Sequence, residues 1–331
     1  MVDDFLLASK EGWITLQRLM SQKRIAFERD EDSENYVSME GKTVVITGGT
    51  SGVGLATATE LAKRRARVIV GCRDVVKGRE DTTGVYLVAD QHVTVRCLDL
   101  SSFASVWNFA EEVLSTETRL DVLINAAAMV PDYSLKEFTT DDNERSIQTN
   151  YIGHVLLTTF LLELLQKSAP SRIVNVSCGG HQLGSIDGIL GLLLRDGREY
   201  MHPGLAYYDS KLALVFFTEL LARDLRDSGV TVNTADPGVL KDGACVRYPG
   251  VQGGLIECLR RRYGKTAAEG AQTCVYLAMD PSVANETGNY YLDGKRQRPA
   301  IEGPVPPCIE GIYELTLRLS NAQEATKLLP K

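Results

Sequence analysis

The run TVVITGGTSGVG, from Thr43 to Gly54, decides the fold. Thr43–Thr47 is a string of β-branched side chains, the composition of a strand buried on both faces. It breaks at Gly48-Gly49, carries Thr50-Ser51, and passes through Gly52-Val53-Gly54 into a segment of helical periodicity, with the helix expected to start near Leu55. Taken alone, a glycine-rich run is an ordinary turn. Between a strand and a helix it has the makings of a dinucleotide cradle. Gly48 permits the tight turn, Gly52 lets backbone approach a phosphate, and Gly54 lets the helix lie close on the strand. The helix N-terminus adds unpaired N–H groups and the positive end of its dipole. Thr50, Ser51 and Val53 complete the candidate loop.

Outward from this stretch, short apolar runs alternate with longer helical patterns. Arg67–Val70, Val93–Leu98, Asp121–Ile124, Arg172–Val176 and Val230–Asn233 read as further buried strands. Gly52–Arg64, Ser102–Leu114, Ser146–Lys167 and Ser210–Arg226 read as helices. The alternation predicts an α/β fold, a doubly wound parallel sheet (Rossmann fold) with ligands at the carboxyl ends of the strands. A single domain at 39–295 is the economical division. It carries an N-terminal helical extension with an acidic linker at 1–38, and a Pro-rich connector with a C-terminal helix at 296–331.

Composition narrows the function classes. Lys and Arg number 36 against 43 Asp and Glu, a net charge of −7, which argues against a broad basic face while leaving room for a local patch, and no nucleic-acid partner is expected. Seven cysteines with no C-x-x-C pair predict free thiols in a reducing, intracellular compartment. No metal site is expected, because His92, His154, His181 and His202 lack ligand spacing and read as satisfied or exposed side chains. No run reaches the ~20 uninterrupted apolar residues that span a bilayer. Leu6, Trp13, Leu16 and Met20 would place an apolar stripe on one side of an N-terminal helix. With Arg18, Lys23 and Arg24, that stripe suits peripheral contact with a membrane surface. Packing on its own domain or on a second subunit is the simpler expectation. The expected location is cytoplasmic or peripheral on a membrane. Glu28–Glu34 reads as a solvated linker, Arg298–Cys308 as a connector, and Ile309–Leu329 as a docked tail helix.

The second strand leads into Gly71-Cys72-Arg73-Asp74. An acid at the strand's tip would select the ribose 2′-OH of NAD. Cys72 occupies that place and Arg73 follows, whose guanidinium suits a 2′-phosphate. Arg73, with Lys77, points to NADP(H); Asp74 would reverse the reading if the register slipped by two residues. Asp99, with Leu100 behind it, could bond an adenine amino group or cap the next helix, a task Ser101 could equally perform.

Tyr207 and Lys211 stand four residues apart at the opening of a helix and share one face. A phenol ionises near ~10 and is a poor acid–base at neutral pH unless a cation favours the phenolate. Lys211 supplies that cation. Tyr-x-x-x-Lys alone recurs by chance; downstream of the glycine run it becomes a catalytic signal.

With these residues in place, the sequence resembles the short-chain dehydrogenase/reductase family from Lys42 to about Leu292, and within it the retinol dehydrogenase branch. The matching stretches are Met39–Thr47, Gly71–Asp74, Asn150–Thr158, Ser171–Ser177, Gly204–Leu212 and Lys265–Leu277. The resemblance implies an NADP(H)-dependent oxidoreductase that interconverts lipophilic alcohols with aldehydes or ketones, retinoids among them. It implies that Tyr207 is the acid–base, that Lys211 tunes it and holds the nicotinamide ribose, and that Asn150, at a helix interruption beside Gly153, positions a relaying water. It places Asn125 in the cofactor cleft and Pro237-Gly238 against the nicotinamide. It also implies a homodimer through the helices at Ser102–Leu114 and Ser146–Lys167.

Two positions depart from the family pattern. Ser177-Cys178 stands where two serines are usual, and the second normally bonds the substrate oxygen. A thiol is the weaker donor. Either Cys178 substitutes imperfectly, or Ser177 reaches in, or catalysis is reduced. Asn125-Ala126-Ala127-Ala128 replaces Asn-Asn-Ala-Gly, and an alanine there narrows the cleft if the position needs a positive φ. These departures support the rival reading, a catalytically weakened NADP-binding regulator. Retention of Asn150, Tyr207 and Lys211 tells against it. Gly179–Pro203 and Leu240–Tyr263 are expected to wall the substrate pocket with apolar side chains, which suits a lipophilic alcohol or carbonyl, a steroid or fatty aldehyde included.

Overall fold

The computed structural model describes residues 2–23, 36–86, 93–131, 135–196, 202–242, 250–299 and 306–320. Arg24, the acidic run Glu28–Glu34, His92, residues 300–305 of the connector and the tail beyond Ser320 lie outside them.

Among the described residues one sheet carries β1 (Thr43–Thr47), β2 (Arg67–Cys72), β3 (Val93–Cys97), β4 (Val122–Asn125), β5 (Ser171–Val176), β6 (Val230–Asp236) and β7 (Tyr290–Leu292), all parallel. Their order is β3-β2-β1-β4-β5-β6-β7, and β8 (Lys295–Gln297) closes the far edge antiparallel. The helices are α1 (Val2–Ser21), α2 (Gly52–Lys63), α3 (Val75–Asp81), α4 (Thr83–Tyr86), α5 (Phe103–Thr116), α6 (Arg145–Ile147), α7 (Gly153–Lys167), α8 (Ile186–Leu194), α9 (Pro203–Asp224), α10 (Gly250–Tyr263), α11 (Ala267–Met279) and α12 (Cys308–Leu319).

Side chains alternate across the sheet, so the strands feed two cores. Val45, Ile69, Leu123, Ile173 and Val232 pack with α5, α7, α9 and α12. Val44, Ile46, Val68, Val70, Ile124 and Val174 pack with α2 and α11. Each such side chain stabilises the fold by about 1.5–3 kcal/mol relative to exposure. With both faces covered, the central strands read as continuous apolar runs. The strand order reverses between β1 and β4, and the crevice beyond their carboxyl ends is where such sheets hold ligands.

The structure corrects several expected bounds. Of the two starts read for α2, Gly52 from the helical pattern and a position near Leu55 from the glycine run, the structure has Gly52, so the last two glycines lie inside its first turn. α9 starts at Pro203, seven residues before Ser210. His202 caps it, and proline suits a first turn, where its missing N–H is not needed. The expected helix Ser146–Lys167 is split by a π turn at Gln148–Ile152. β7, β8, α3, α8, α10 and α11 were not anticipated as elements. The N-terminal stripe does not pack on its own domain, one of the expectations for it. Trp13 (59% exposed) and Met20 (72% exposed) face outward, while Glu11 and Gly12 are buried against the body of the fold. The tail helix docks as expected, with Ile309, Ile312 and Leu317 buried and Tyr313 against Phe217.

Candidate active site

A cavity of about 620 Å³ opens beyond the carboxyl ends of β1, β4, β5 and β6. Its floor at one end is the Gly48–Gly54 loop. Gly48 has φ +68°, and a Cβ there would lie 2.7 Å from the Ala127 Cα. A Cβ on Gly54 would lie 2.3 Å from the Gly48 carbonyl oxygen. The loop therefore closes only with glycine, leaving a backbone cradle edged by Thr50, Ser51, Gly52 and Val53. The Ser51 side chain makes no capping bond to α2, so it spends none of the first-turn N–H groups. This geometry fits a pyrophosphate.

At the tip of β2, Arg73 is exposed on the cavity rim. Asp74 is the N-cap of α3, its carboxylate accepting the Lys77 N–H at 3.0 Å. The carboxylate that could have reversed the cofactor reading is thus committed to a helix. Asp99 and Leu100 line the cavity. Asp99 caps nothing: it accepts the Ser101 N–H and hydroxyl, while Ser102 caps α5.

The Asn125 side chain turns away from the cavity, bonding Thr158 at 3.0 Å and Asn175 at 2.8 Å, and so ties β4 to β5 and α7. Ala126, Ala127 and Ala128 form the wall instead. None of the three has a positive φ, so alanine at 128 carries no backbone strain. Behind them Thr47 accepts the Ala126 and Ala127 N–H groups and donates to His154 Nε2 at 2.9 Å. His154 Nδ1 donates to the Asn150 carbonyl at 3.0 Å. Burial lowers the His154 pKa to about 3, so the ring is neutral. Asn150 itself is buried in the π turn. Its side chain accepts the Met129 N–H at 2.7 Å and donates to the Met129 carbonyl and the Ser210 hydroxyl. Ser210, not singled out in the sequence, donates in turn to the Tyr207 carbonyl at 2.6 Å.

Tyr207 and Lys211 project from α9 toward the end of β5. The Cys178 sulfur lies 3.6 Å from the Tyr207 hydroxyl, so the thiol faces the phenol. The Ser177 hydroxyl instead donates to the Lys211 carbonyl at 3.0 Å. Lys211 is fully buried, its Nζ donating to the Val176 carbonyl at 3.0 Å and lying 6.0 Å from the Tyr207 ring centre. Burial lowers its pKa, opposed by the charges of Cys178 and Asp236. Pro237 and Gly238 line the cavity beyond Lys211. Asp236 is wholly buried. Burial alone would raise its pKa, but the Arg18 charge, the Tyr290 hydroxyl and the Gly238 N–H outweigh that and hold it below the usual carboxylate range. His181 lies against Tyr290 with its Nδ1 donating to the Cys178 carbonyl at 2.8 Å, and burial lowers its pKa. Among the described residues no cluster of His, Cys, Asp and Glu could hold a metal ion.

The model of the short chain dehydrogenase family matches residues 42–189. Human retinol dehydrogenase 11 is 42% identical over 264 residues, covering 78% of this chain and 79% of its own. The chain belongs to the short-chain dehydrogenase family. Its similarity lies with the retinol dehydrogenase branch. Mouse retinol dehydrogenase 14 is 37% identical over 307 residues, 88% of this chain and 89% of its own. A crystal structure of an uncharacterized protein from Mycobacterium paratuberculosis aligns with TM-score 0.65 and 32% identity, over 86% of this chain and 95% of its own. Four residues of α1 also stand on the cavity wall, Glu11, Ile14, Thr15 and Arg18; of these only Arg18 was singled out in the sequence, and for a membrane surface.

Proposed function

We propose that the protein is an NADP(H)-dependent oxidoreductase interconverting lipophilic alcohols with aldehydes or ketones, retinoids among the candidates. One observation carries the reading: Tyr207, Lys211 and Cys178 meet at one end of a cavity whose other end is the glycine cradle rimmed by Arg73. A bound nicotinamide would supply or accept the hydride. Gly48, Gly52 and Gly54 with the start of α2 would hold its pyrophosphate, Arg73 a 2′-phosphate, and Pro237-Gly238 the nicotinamide side. In reduction, Tyr207 gives its hydroxyl proton to the substrate oxygen. Lys211, buried one turn away, favours the phenolate that remains when it carries its proton. Cys178 donates its S–H to the same oxygen. Asn150, fixed by Met129 and Ser210, is a positioning residue for the proton path to Tyr207. The apolar cavity wall, with Met129, Val130, Leu183 and Leu240, suits a lipophilic substrate.

The test is NADPH oxidation by the purified chain over retinal, fatty aldehydes and steroid ketones. Turnover should fall roughly 10²–10⁴-fold in Tyr207→Phe with NADPH binding retained. Equal rates in wild type and variant would sink the proposal. Cys178 favours a second reading, a weakened NADP-binding regulator, which predicts tight NADPH binding without turnover on any of these carbonyls. Among the described residues no helix is long and apolar enough to cross a membrane. Peripheral membrane contact remains part of the proposal through the outward Trp13 and Met20, and a homodimer through α5 and α7, with Trp107 and Leu114 exposed on α5.

A further inference from the structure

Helix α1 is bound to the body of the fold by polar ties around the substrate end of the cavity. Arg18 pairs with Asp236, and Tyr208 donates to Glu11. The Gln22 side chain accepts the Val239 N–H at 3.0 Å and donates to the Tyr263 carbonyl at 3.2 Å. The Lys23 N–H donates to Asp293 at 2.6 Å. Asp236 and Val239 bracket Pro237-Gly238, the segment assigned to the nicotinamide side. The helix is therefore attached where hydride transfer would occur.

Arg18 is the residue that reaches deepest. A Cβ on Gly179 would lie 2.1 Å from the Arg18 Nε and 2.3 Å from its Cζ, so the guanidinium rests on the backbone next to Cys178. A Cβ at 179 would displace it. The guanidinium pairs with Asp236 and bonds the Tyr290 hydroxyl, yet the side chain keeps 13% exposure and lines the cavity. A guanidinium has five N–H donors in a planar fork, so donors remain for an oxygen in the cavity.

We propose that Arg18 is a specificity-determining residue, and that the substrate is a lipophilic carbonyl compound with a second oxygen acceptor on the carbon beside the reacting one. This deepens the oxidoreductase reading and rests on it. The reacting oxygen lies on Tyr207 and Cys178, and the neighbouring oxygen accepts from Arg18. Ile14 and Thr15 of α1 wall the apolar remainder. In the reduction, the hydride of NADPH forms the new C–H bond, the carbonyl oxygen takes the Tyr207 proton, and NADPH leaves as NADP⁺. An α-diketone thus gives an α-hydroxy ketone.

The test uses the full chain with NADPH and a matched pair, 1-phenylpropane-1,2-dione and propiophenone, with retinal as a further carbonyl. The quantity read is the ratio of kcat/KM for the diketone to that for the monoketone. Arg18→Met should lower this ratio about tenfold or more, the size of a charge-assisted hydrogen bond, chiefly through the diketone KM. Because Arg18→Met strands Asp236, the double variant Arg18→Met/Asp236→Asn removes the unpaired charge and should show the same fall. Gly179→Ala keeps both charges but displaces the guanidinium, and should show it too. A ratio that stays constant, or two substrates that decline together, overturns the proposal while leaving the oxidoreductase reading intact. Absence of turnover on every carbonyl, retinal included, overturns both.

Discussion

Replacing Cys178 by serine tests the chemistry at its weakest point. The sulfur sits 3.6 Å from the Tyr207 hydroxyl, the position from which a donor reaches a substrate oxygen held by the phenol. A full donor directed at a developing oxyanion is worth about 2.7–4 kcal/mol, or 10²–10³ in rate. A thiol donates weakly. If it recovers about half of that stabilisation, serine restores about 1.3–2 kcal/mol, a gain of roughly 10–30-fold in kcat. The gain should appear in kcat, since the bond strengthens as charge develops. Little should change in folding, because the site is only half-buried and the substitution is nearly isosteric. The assay is NADPH oxidation with a fixed aldehyde, with Tm measured on the same samples. Alkylation of Cys178 by N-ethylmaleimide should abolish wild-type turnover and leave Cys178→Ser active. An unchanged or lower kcat in Cys178→Ser, with an unaltered Tm, would refute the assignment of the 178 side chain as a substrate donor.

Other outcomes follow from neighbouring geometry. Arg73→Ala should cut the preference for NADPH over NADH by about tenfold or more, read from the two Kd values, because it removes a charge-assisted bond to the 2′-phosphate. Asp74→Ala should leave that preference intact and cost about 1 kcal/mol of stability by loss of an N-cap, measured by urea titration. His154 is held near pKa 3 by burial, against about 6.5 when unfolded, so stability is full above pH 6.5 and is lost as pH falls toward 3, by roughly 5 kcal/mol in all. The decline in Tm between pH 6.5 and 4 should be shallower in His154→Asn. Asp209, pushed up to about 7 by burial, stays protonated where the unfolded chain would ionise, so stability is lost as pH rises from about 4 through 7. Asp209→Asn, which keeps an acceptor for the Ser185 N–H, should raise Tm more at pH 8 than at pH 5, by about 1–3 kcal/mol of relief.

The six central strands were legible because burial on both faces leaves a local trace, a run of Val and Ile, wherever the strand lies. The β7–β8 hairpin left less. Its strands are three residues each, too short for a period, and the readable signal was Asp293-Gly294, both at positive φ (55° and 65°) as a two-residue hairpin turn requires. The π turn at Gln148–Ile152 has no sequence period of its own, since one extra residue in a helix shifts a face without breaking the apolar pattern. The bounds of α9 were readable in principle from His202-Pro203, yet the apolar stripe from Ser210 onward is the stronger signal and masked them.

The candidate site divides on the same ground. Tyr207 and Lys211 share a helix, and the cradle glycines share a turn, so spacing alone brings them together. Asn125 and Asp74 carried family or neighbour signals that could not say which way a side chain turns; the first ties strands and the second caps a helix. Arg18 and Asp236 are 218 residues apart, and nothing in either neighbourhood points to the other. Packing of α1 on its own domain by its apolar stripe would place Trp13 and Met20 inward, a reading that weighs apolar area alone. The helix docks by its polar face instead, since Asp236 and Tyr208 offer buried partners that satisfy Arg18 and Glu11. A buried charge is tolerated only when paired, and removal of one partner commonly costs about 3–5 kcal/mol. The fit of α1 is therefore set by those two pairs more than by area. A single neutral substitution at Arg18 should loosen the helix more than truncation of the outward Trp13 to alanine, as read by the rate of limited proteolysis within residues 2–23.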